Sequence, residues 1–295
     1  MSVTDLTPEL LRALPLPPLR PDGDKSDRGT CLVIAGGGGV PGAALLTGRA
    51  ALRVGAGRLR LAAPRQSAVA LGVALPEARV VATPATAAGE FSHRAGRVLA
   101  PLVETGVAVV VGPGMLDGRV ARRLTLDLLA RDSAVPMVVD AAAMPDPELQ
   151  PEFAALAGGR TVLTPHAGEM AALNACTKEE VLADPLGMAR ATADRLRSVV
   201  IMKGAVTFVV SPDGAAWRHA GGVPGLGASG SGDVLAGVLA GLLARGAPPA
   251  TAALWGVYLH AAAGAWLSRE IGALGFVASE LLDVLPRVLS AASEP

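Results

Sequence analysis

The sequence predicts an α/β protein with three layers, in which helices cover both faces of a mostly parallel central sheet. Two observations lead to this fold class. Short runs rich in Val, Leu and Ile alternate along the chain with longer segments of helical periodicity. The runs are apolar at nearly every residue, which is typical of strands buried on both faces. Hydrophobic residues make up 51% of the 295 residues and supply the core that such a sheet requires.

Seven runs are predicted to be strands, and seven segments between or after them are predicted to be helices. The strands are residues 30–35, 58–63, 108–111, 137–140, 161–164, 199–202 and 207–210. The helices are residues 42–54, 119–130, 168–173, 186–197, 232–244, 250–271 and 278–289. In sheets of this kind ligands bind beyond the carboxyl ends of the strands. A functional site is therefore expected at the turns that follow these strands.

Residues 1–28 are rich in proline and charge, and we predict an arm packed on a single domain of residues 29–295. The 26 basic residues balance the 26 acidic ones without a long basic run, which argues against a nucleic-acid partner. The N-terminus lacks the pattern of a secretory signal, and the apolar segment 252–267 is shorter than a membrane span. We expect a cytoplasmic protein without a membrane partner.

The strongest candidate site is the segment 225–233, in which four of nine residues are glycine and which leads into a predicted apolar helix. Glycines allow backbone N–H groups to approach an anion, and the positive end of a helix dipole favours a phosphate there. Asp233 in the first helical turn would take a proton from an attacking hydroxyl group. Alternatively, Ser231 is a helix cap and Asp233 is only a first-turn acid. The spacing is not that of a Walker motif, and no lysine follows.

Two other turns carry polar side chains. The turn between the last two predicted strands consists of Lys203, Gly204, Ala205, Val206 and Thr207. Its amino group and backbone would grip the phosphates of a nucleotide, although an ordinary hairpin turn would look the same. His166 follows the strand at 161–164 and would either hydrogen-bond a sugar or nicotinamide group or have a structural role.

The remaining strand ends are less specific. The glycine run 36–39, with Gly42, formally satisfies the dinucleotide-binding pattern, but no acidic residue follows about 20 residues later, so a simple dehydrogenase is disfavoured. The segment 112–114 would be a plain turn or part of a site. Asp140 would cap its strand or orient a hydrated Mg²⁺ ion on bound phosphates.

Taken in order, these motifs resemble the ADP/ATP-dependent NAD(P)H-hydrate dehydratase family of the ribokinase-like superfamily. The resemblance extends from about Leu11 to the C-terminus. The motifs that carry it are CLVIAG at 31–36, PGAA at 41–44, VGPG at 111–114, VD at 139–140, LTPHAGE at 163–169, MKGA at 202–205, GSGDVLAG at 230–237, YLH at 258–260 and GFVAS at 275–279.

The resemblance implies a ribokinase-like α/β/α fold and a hydro-lyase of metabolite repair. Members of the family use ADP or ATP to phosphorylate the hydroxyl group of hydrated NADH or NADPH, and loss of phosphate restores the cofactor. Asp233 would be the base. The contacts implied for the hydrated cofactor are Ala43, Gly114, His166 and Asp233. The contacts implied for the nucleotide are Lys203, Gly204, Ala205, Val206, Thr207, Gly230, Ser231 and Gly232, with Asp140 as a strand-end acid towards Mg²⁺.

Three positions depart from the family pattern. Ala142 stands where a second acid is common, Ala167 stands where a proline is common, and the run 36–39 replaces a more varied turn. These departures leave the ligation of Mg²⁺ and the fit of the first loop open. The resemblance also implies an NAD(P)H-hydrate epimerase as a separate chain and a homo-oligomeric assembly.

Two alternatives to the dehydratase remain at this point. A kinase of the same superfamily, acting on a sugar, a hydroxymethylpyrimidine or a thiazole, would use the same glycine-rich turn and the same acid for any hydroxyl acceptor. A nucleotide-binding protein without catalysis would retain the turn and lack turnover. A stable phosphorylated product would favour the kinase, whereas nucleotide binding without turnover would favour the non-catalytic binding protein.

Overall fold

The structure is a computed structural model, and it describes residues 2–20, 22–104, 106–132 and 134–293. Ten strands form one sheet within these residues. They are β1 (Thr4–Asp5), β2 (Thr30–Ile34), β3 (Arg58–Pro64), β4 (Ala78–Thr83), β5 (Val107–Val111), β6 (Met137–Val139), β7 (Thr161–Leu163), β8 (Val199–Met202), β9 (Thr207–Val210) and β10 (Ala216–His219).

The described residues also form twelve α-helices. They are α1 (Pro8–Ala13), α2 (Gly42–Arg53), α3 (Arg65–Ala74), α4 (Ala95–Leu99), α5 (Gly118–Leu129), α6 (Gln150–Ala157), α7 (Ala167–Asn174), α8 (Lys178–Ala183), α9 (Pro185–Leu196), α10 (Ser231–Ala244), α11 (Pro249–Glu270) and α12 (Ala278–Ser293). Of these helices, none combines the length and the apolar character needed to cross a membrane.

The strand order across the sheet is β1-β10-β9-β8-β7-β6-β5-β2-β3-β4. The seven strands from β8 to β4 in this order are parallel, whereas β9 runs antiparallel to β8 and β10 antiparallel to β9. The predicted mostly parallel sheet is thus confirmed. The seven predicted strands and the seven predicted helices are all present, with bounds that shift by a few residues at most.

Helices cover both faces of the sheet, as the uninterrupted apolar runs predict. All five residues of β2 are buried. Cys31 and Val33 join the hydrophobic core that includes α10, α11 and α12, whereas Leu32 and Ile34 join the core that includes α5 and α9. Because successive residues of a strand point to opposite faces, this division shows that each face has its own apolar layer.

Helix α10 packs closely against α2, and two glycines make this approach possible. A Cβ atom added to Gly237 would lie 2.2 Å from the carbonyl oxygen of Thr47, and one added to Gly241 would lie 2.6 Å from that of Ala51. The Thr47 hydroxyl donates a hydrogen bond to the Asp233 carbonyl oxygen at 3.1 Å. This packing holds the first turn of α10 in a fixed position relative to α2.

The first 20 residues add a strand and a helix to the rest of the chain. Strand β1 pairs in parallel with β10, and Leu11 of α1 is completely buried. The indole nitrogen of Trp255 donates a hydrogen bond to the Leu14 carbonyl oxygen at 2.8 Å. Met1 and Pro21 of the predicted arm lie outside the described residues, as do Thr105, Ser133, Glu294 and Pro295 of the predicted domain.

Candidate active site

Five parallel strands end at the same edge of the sheet, and each is followed at once by a segment that the sequence singles out. The residues at these ends are Gly36 after β2, Gly112 after β5, Asp140 after β6, Thr164 after β7 and Lys203 after β8. The N-terminus of α10 lies at this edge as well, because Gly232 is within reach of the Lys203 side chain. The predicted motifs therefore converge on one place.

Lys203 lies at the centre of this group. Its ammonium nitrogen is 3.6 Å from Oδ1 of Asp140 and 3.8 Å from Oε2 of Glu169. A Cβ atom added to Gly232 would lie 3.7 Å from the same nitrogen. The Lys203 backbone N–H donates to the Pro165 carbonyl oxygen at 2.8 Å, which ties the hairpin turn between β8 and β9 to the end of β7. The turn is thus both a hairpin and part of the site.

Asp140 is nearly buried at the end of β6, and its carboxylate accepts a hydrogen bond from the Thr164 hydroxyl. The chain around it is tightly packed, since a Cβ atom at Gly112 would lie 1.8 Å from the Asp140 carbonyl oxygen. Ala141 has a φ of 48°, a left-handed conformation that costs energy for a residue with a side chain. Such strain is more common at functional sites than elsewhere.

Asp233 lies in the first turn of α10, directly beside this cluster. Partial burial and, to a smaller extent, the Asp140 carboxylate raise the pKa of Asp233, the Lys203 ammonium opposes them, and the net result is a pKa of about 6. A carboxyl group with a pKa close to neutrality matches what a general base requires. The role of Asp233 as the base stays a prediction, which this raised pKa favours.

A cavity of about 610 Å³ opens between the 203–207 turn and the start of α10. Its volume falls in the range of small-molecule and cofactor sites. The predicted site residues that line it are His166, Lys203, Gly204, Ala205, Thr207, Ser231 and Gly232. Two predicted nucleotide residues lie elsewhere: Val206 is an exposed part of its turn, and Gly230 packs against the Leu46 side chain, which would be 2.6 Å from an added Cβ atom.

His166 caps α7, so the structural role that the sequence leaves open is present. Its Nδ1 atom accepts hydrogen bonds from the backbone N–H groups of Gly168 at 3.0 Å and Glu169 at 3.2 Å. The Glu169 carboxylate accepts in return from the His166 backbone N–H at 2.8 Å. Because Nδ1 accepts, a neutral ring carries its hydrogen on Nε2. His166 also lines the cavity, and its Nε2 lies 3.6 Å from Oε1 of Glu169, which is longer than a hydrogen bond.

Ala43 and Gly114 contact each other at the other predicted part of the site. Gly114 has a φ of 65°, and an added Cβ atom would lie 2.5 Å from that of Ala43. The Gly36 backbone N–H donates to the Pro113 carbonyl oxygen at 2.8 Å. One helical turn after Ala43, Thr47 bonds the Asp233 carbonyl oxygen. This wall is thereby linked to the first turn of α10.

Two polar residues that contact the predicted motifs or the turn after β5 have no role in the sequence-based prediction. Glu90, in the loop after β4, accepts hydrogen bonds from the backbone amides of Gly38 and Leu116, and no motif marks it. His260 lies 2.9 Å from the Ser231 hydroxyl. The sequence motif at 258–260 includes this histidine, but its role becomes visible only when α11 is packed beside α10.

Comparisons with known proteins identify the same family by a family model and by individual relatives. A family model described as NAD(P)H-hydrate dehydratase matches residues 31–287. The chain is 47% identical over 288 residues to an ADP-dependent (S)-NAD(P)H-hydrate dehydratase of Xanthomonas campestris, covering 97% of this chain and 96% of the relative.

Solved structures show the same likeness. An ADP/ATP-dependent NAD(P)H-hydrate dehydratase from Bacillus subtilis, co-crystallised with ATP/Mg²⁺, superposes with a TM-score of 0.85 at 30% identity over 99% of both chains. A ribokinase-like superfamily protein from Enterococcus faecalis has a TM-score of 0.82 over 99% of this chain and 97% of its own, at 23% identity, which establishes a shared fold. The ribokinase-like fold predicted from the sequence is confirmed.

Proposed function

The chain belongs to the NAD(P)H-hydrate dehydratase family, and from this premise we propose that it restores NAD(P)H from its hydrated form in a reaction that consumes ADP or ATP. Its activity is that of a hydro-lyase in the repair of nicotinamide cofactors. One arrangement supports the residue-level mechanism: Asp233 lies in the first turn of α10, where its neighbours Ser231 and Gly232 and the Lys203 side chain line a cavity of about 610 Å³. The remaining steps follow from that arrangement.

The chemistry explains why a nucleotide is consumed. Hydroxide is a poor leaving group, whereas phosphate is a good one. The hydroxyl oxygen of the hydrate attacks the terminal phosphorus of the nucleotide, and the shortened nucleotide leaves. The C–O bond then breaks with its electron pair going to phosphate, and the neighbouring carbon loses a proton as the ring double bond re-forms. Catalysis of the first step requires positioning and charge stabilisation.

We assign the nucleotide to the 610 Å³ cavity. Backbone amides in the first turn of α10 and the Lys203 ammonium would bind its phosphates, because both present positive charge to the same space. Gly232 permits the close approach, since a side chain there would point towards Lys203. His166 would donate from Nε2 at the rim of the cavity, and Ala43 with Gly114 would contact the hydrated cofactor.

Asp233 would act as the base in this mechanism. As the hydroxyl oxygen bonds to phosphorus, its proton passes to the Asp233 carboxylate. A carboxylate within the first turn of α10 is stabilised by the helix dipole, while partial burial keeps its proton affinity high. The group can therefore accept a proton near neutral pH.

The residues present suit an Mg²⁺ ion that arrives on the nucleotide. The described residues contain no cluster of three or more histidine, cysteine or acidic ligands, so a resident metal site of that kind is absent among them. An Mg²⁺ ion on phosphates needs only one or two carboxylates and keeps several waters. Asp140 would supply that carboxylate without help from position 142, which is alanine. The ion would neutralise charge on the phosphates during transfer.

We further propose a division of labour with other chains. Hydration of a ring carbon creates two epimers, and the name of the Xanthomonas relative specifies the (S) form. If the present chain shares this preference, a separate NAD(P)H-hydrate epimerase would supply the usable epimer. We also propose a cytoplasmic location, a homo-oligomeric assembly and a single domain over residues 29–295 with residues 1–28 as its arm.

The decisive experiment is recovery of NADH. The purified protein is incubated with hydrated NADH, Mg²⁺ and either ADP or ATP, and the near-ultraviolet absorbance of NADH is followed together with release of inorganic phosphate. We expect both to rise in equal amounts, and neither to rise without nucleotide. Folded protein that regenerates no NADH with either nucleotide would overturn the proposal. A sugar, hydroxymethylpyrimidine or thiazole alcohol that accumulated as a stable phosphate ester would establish the kinase instead.

A further inference from the structure

His260 contacts the first residue of α10 from the neighbouring helix α11. Its Nε2 atom lies 2.9 Å from the hydroxyl oxygen of Ser231 and 3.0 Å from the carbonyl oxygen of the same residue. Ser231 is only 4% exposed, so bulk water has little access to it. Both residues line the 610 Å³ cavity. The contact is therefore at the wall of the proposed nucleotide site.

The two contacts together determine which atom is the donor. A carbonyl oxygen can only accept, so Nε2 must carry a hydrogen. The Ser231 hydroxyl oxygen then accepts from the same N–H group. Its own hydrogen is not used by the imidazole, and within the described residues no other protein acceptor binds it. That hydrogen is left for a ligand in the cavity.

The imidazole also stays neutral. Burial, aided by the nearby Lys203 ammonium and opposed by the hydrogen bond to the Ser231 carbonyl oxygen, lowers the pKa of His260 to about 4. A neutral ring with its hydrogen on Nε2 has a bare Nδ1 atom, which is an acceptor. The ring therefore has no second N–H group with which to bind a phosphate itself. Its N–H group serves Ser231 alone.

We propose that His260 is a positioning residue that fixes the Ser231 hydroxyl as a hydrogen-bond donor to the phosphates of the bound nucleotide. His260 does not touch the nucleotide in this arrangement and acts only through Ser231. The inference rests on the proposed function in one respect, which is that a nucleotide occupies this cavity. A hydroxyl held in one orientation binds a charged oxygen better than a freely rotating one, because less side-chain entropy is lost on binding.

The test is a double-mutant cycle on ADP affinity. Calorimetry of the full chain measures the Kd of ADP for the wild type, Ser231→Ala, His260→Phe and the double variant. Phenylalanine keeps an aromatic ring of similar size but has no N–H group. We expect each single substitution to weaken ADP binding by about 10-fold or more, the scale of a hydrogen bond to a charged group. In the Ser231→Ala background, His260→Phe should add nothing.

Two further variants separate positioning from general damage. His260→Gln retains a side-chain N–H donor and should recover part of the ADP affinity lost in His260→Phe. His219 lines the same cavity, and no hydrogen bond joins it to Ser231. Any effect of His219→Phe should therefore multiply with that of Ser231→Ala, which is the behaviour of an independent residue.

The outcomes are distinct from those of the dehydration assay. If ADP binds with the expected coupling between Ser231 and His260 but NADH is not recovered, the proposed function is wrong and the positioning role still stands. Equal losses from His260→Phe in both backgrounds would overturn the positioning role, as would unchanged affinity in Ser231→Ala. Thermal unfolding of each variant identifies loss of fold. If His260→Phe does not fold, the Kd of Ser231→Ala and the His260→Gln cycle decide.

Discussion

The carboxylate of Glu90 accepts a hydrogen bond from the backbone amide of Gly38 at 3.1 Å, across 52 residues of chain. Its other oxygen accepts from the amide of Leu116 at 3.2 Å. One side chain thus joins the glycine run after β2 to the turn after β5. A Cβ atom at Gly37 would lie 2.3 Å from the same carboxylate, so at this position the run of glycines makes room for Glu90.

We predict that Glu90→Ala raises the KM for hydrated NADH by about 5- to 50-fold. The two amides lose a charged acceptor, and a hydrogen bond to a charged group typically contributes more than a neutral one. The Kd of ADP should change little, because Glu90 is not among the residues that line the proposed nucleotide cavity. Steady-state kinetics and calorimetry measure the two quantities. The matched control is Glu77→Ala, since Glu77 is an exposed acid in the turn before β4. It should change neither the KM for hydrated NADH nor the Kd of ADP.

Gly37→Ala provides a second view of the same contact. The added methyl group would collide with the Glu90 carboxylate, so the variant should reproduce the rise in KM. An unchanged KM in both Glu90→Ala and Gly37→Ala would show that the contact between Glu90 and the glycine run does not help to form the binding site for hydrated NADH.

The pH profile of kcat/KM is expected to report Asp233. In the free enzyme the pKa of Asp233 is about 6, and the base must be ionised to accept a proton. Activity should therefore fall tenfold per pH unit well below pH 6 and level off above it. Asp233→Asn should lower turnover by roughly 10²- to 10⁴-fold, retain ADP binding and abolish this acidic limb. A profile that is flat between pH 5 and 8 in the wild type would remove Asp233 from the role of base.

The same pKa has a consequence for stability, with a definite sign. The pKa of Asp233 is higher in the folded state than its ordinary value of 3.8, so the folded state binds the proton more tightly. The contribution of this group is then most favourable below pH 3.8 and is lost as the pH rises through about 6. In Asp233→Asn, thermal stability near pH 7 should therefore equal or exceed that of the wild type.

Opposite shifts of the acidic limb are expected when the two charged neighbours of Asp233 are neutralised. The Lys203 ammonium lowers the Asp233 pKa and the Asp140 carboxylate raises it. Lys203→Met should therefore move the midpoint of the limb above 6, and Asp140→Asn should move it below 6. The comparison uses the midpoint of the limb and not the plateau value of kcat/KM. Both residues also belong to the proposed nucleotide site, so their substitution changes the plateau for other reasons. Lys178→Met, at an exposed helix start, should leave the midpoint in place; equal movement in all three variants would contradict this electrostatic account.

The sequence predicts the buried parts of this fold well and the edges poorly. Strands β2, β5, β6, β7 and β8 are apolar on both faces, and that pattern is what marks them. The three strands that the sequence does not predict lie at or next to the sheet edges: β1, β4 and β10. Strand β4 is largely half-buried or exposed, and β10 contains Trp217, Arg218 and His219, so neither has a continuous apolar run.

Helices and site residues follow the same logic. Five helices are not predicted from the sequence: α1, α3, α4, α6 and α8. All five have at most ten residues, which gives periodicity little length in which to appear. In the site, turns at strand ends are visible as motifs, whereas Glu90 and His260 act through long-range contacts with Gly38 and Ser231. Such pairs become apparent only once the helices and loops are packed.

Close packing of α10 on α2 leads to the last prediction. In Gly237→Ala the new methyl group would lie 2.2 Å from the Thr47 carbonyl oxygen and 2.7 Å from the Ala50 Cβ atom, so one helix must move. Overpacking of this kind typically costs about 1–3 kcal/mol of stability. We expect a lower melting temperature together with weaker ADP binding, because displacement of α10 also moves Ser231 and Asp233 at its start.

Gly72→Ala in α3 is the control for this substitution. Its added Cβ atom would lie 3.4 Å from the nearest atom, a methyl group of Val80, which is ordinary contact. Alanine favours a helix over glycine by up to about 1 kcal/mol, so this variant should be neutral or slightly stabilised and bind ADP normally. If Gly237→Ala melted at the wild-type temperature with unchanged ADP affinity, the α2–α10 contact would not be what holds the proposed phosphate site in place.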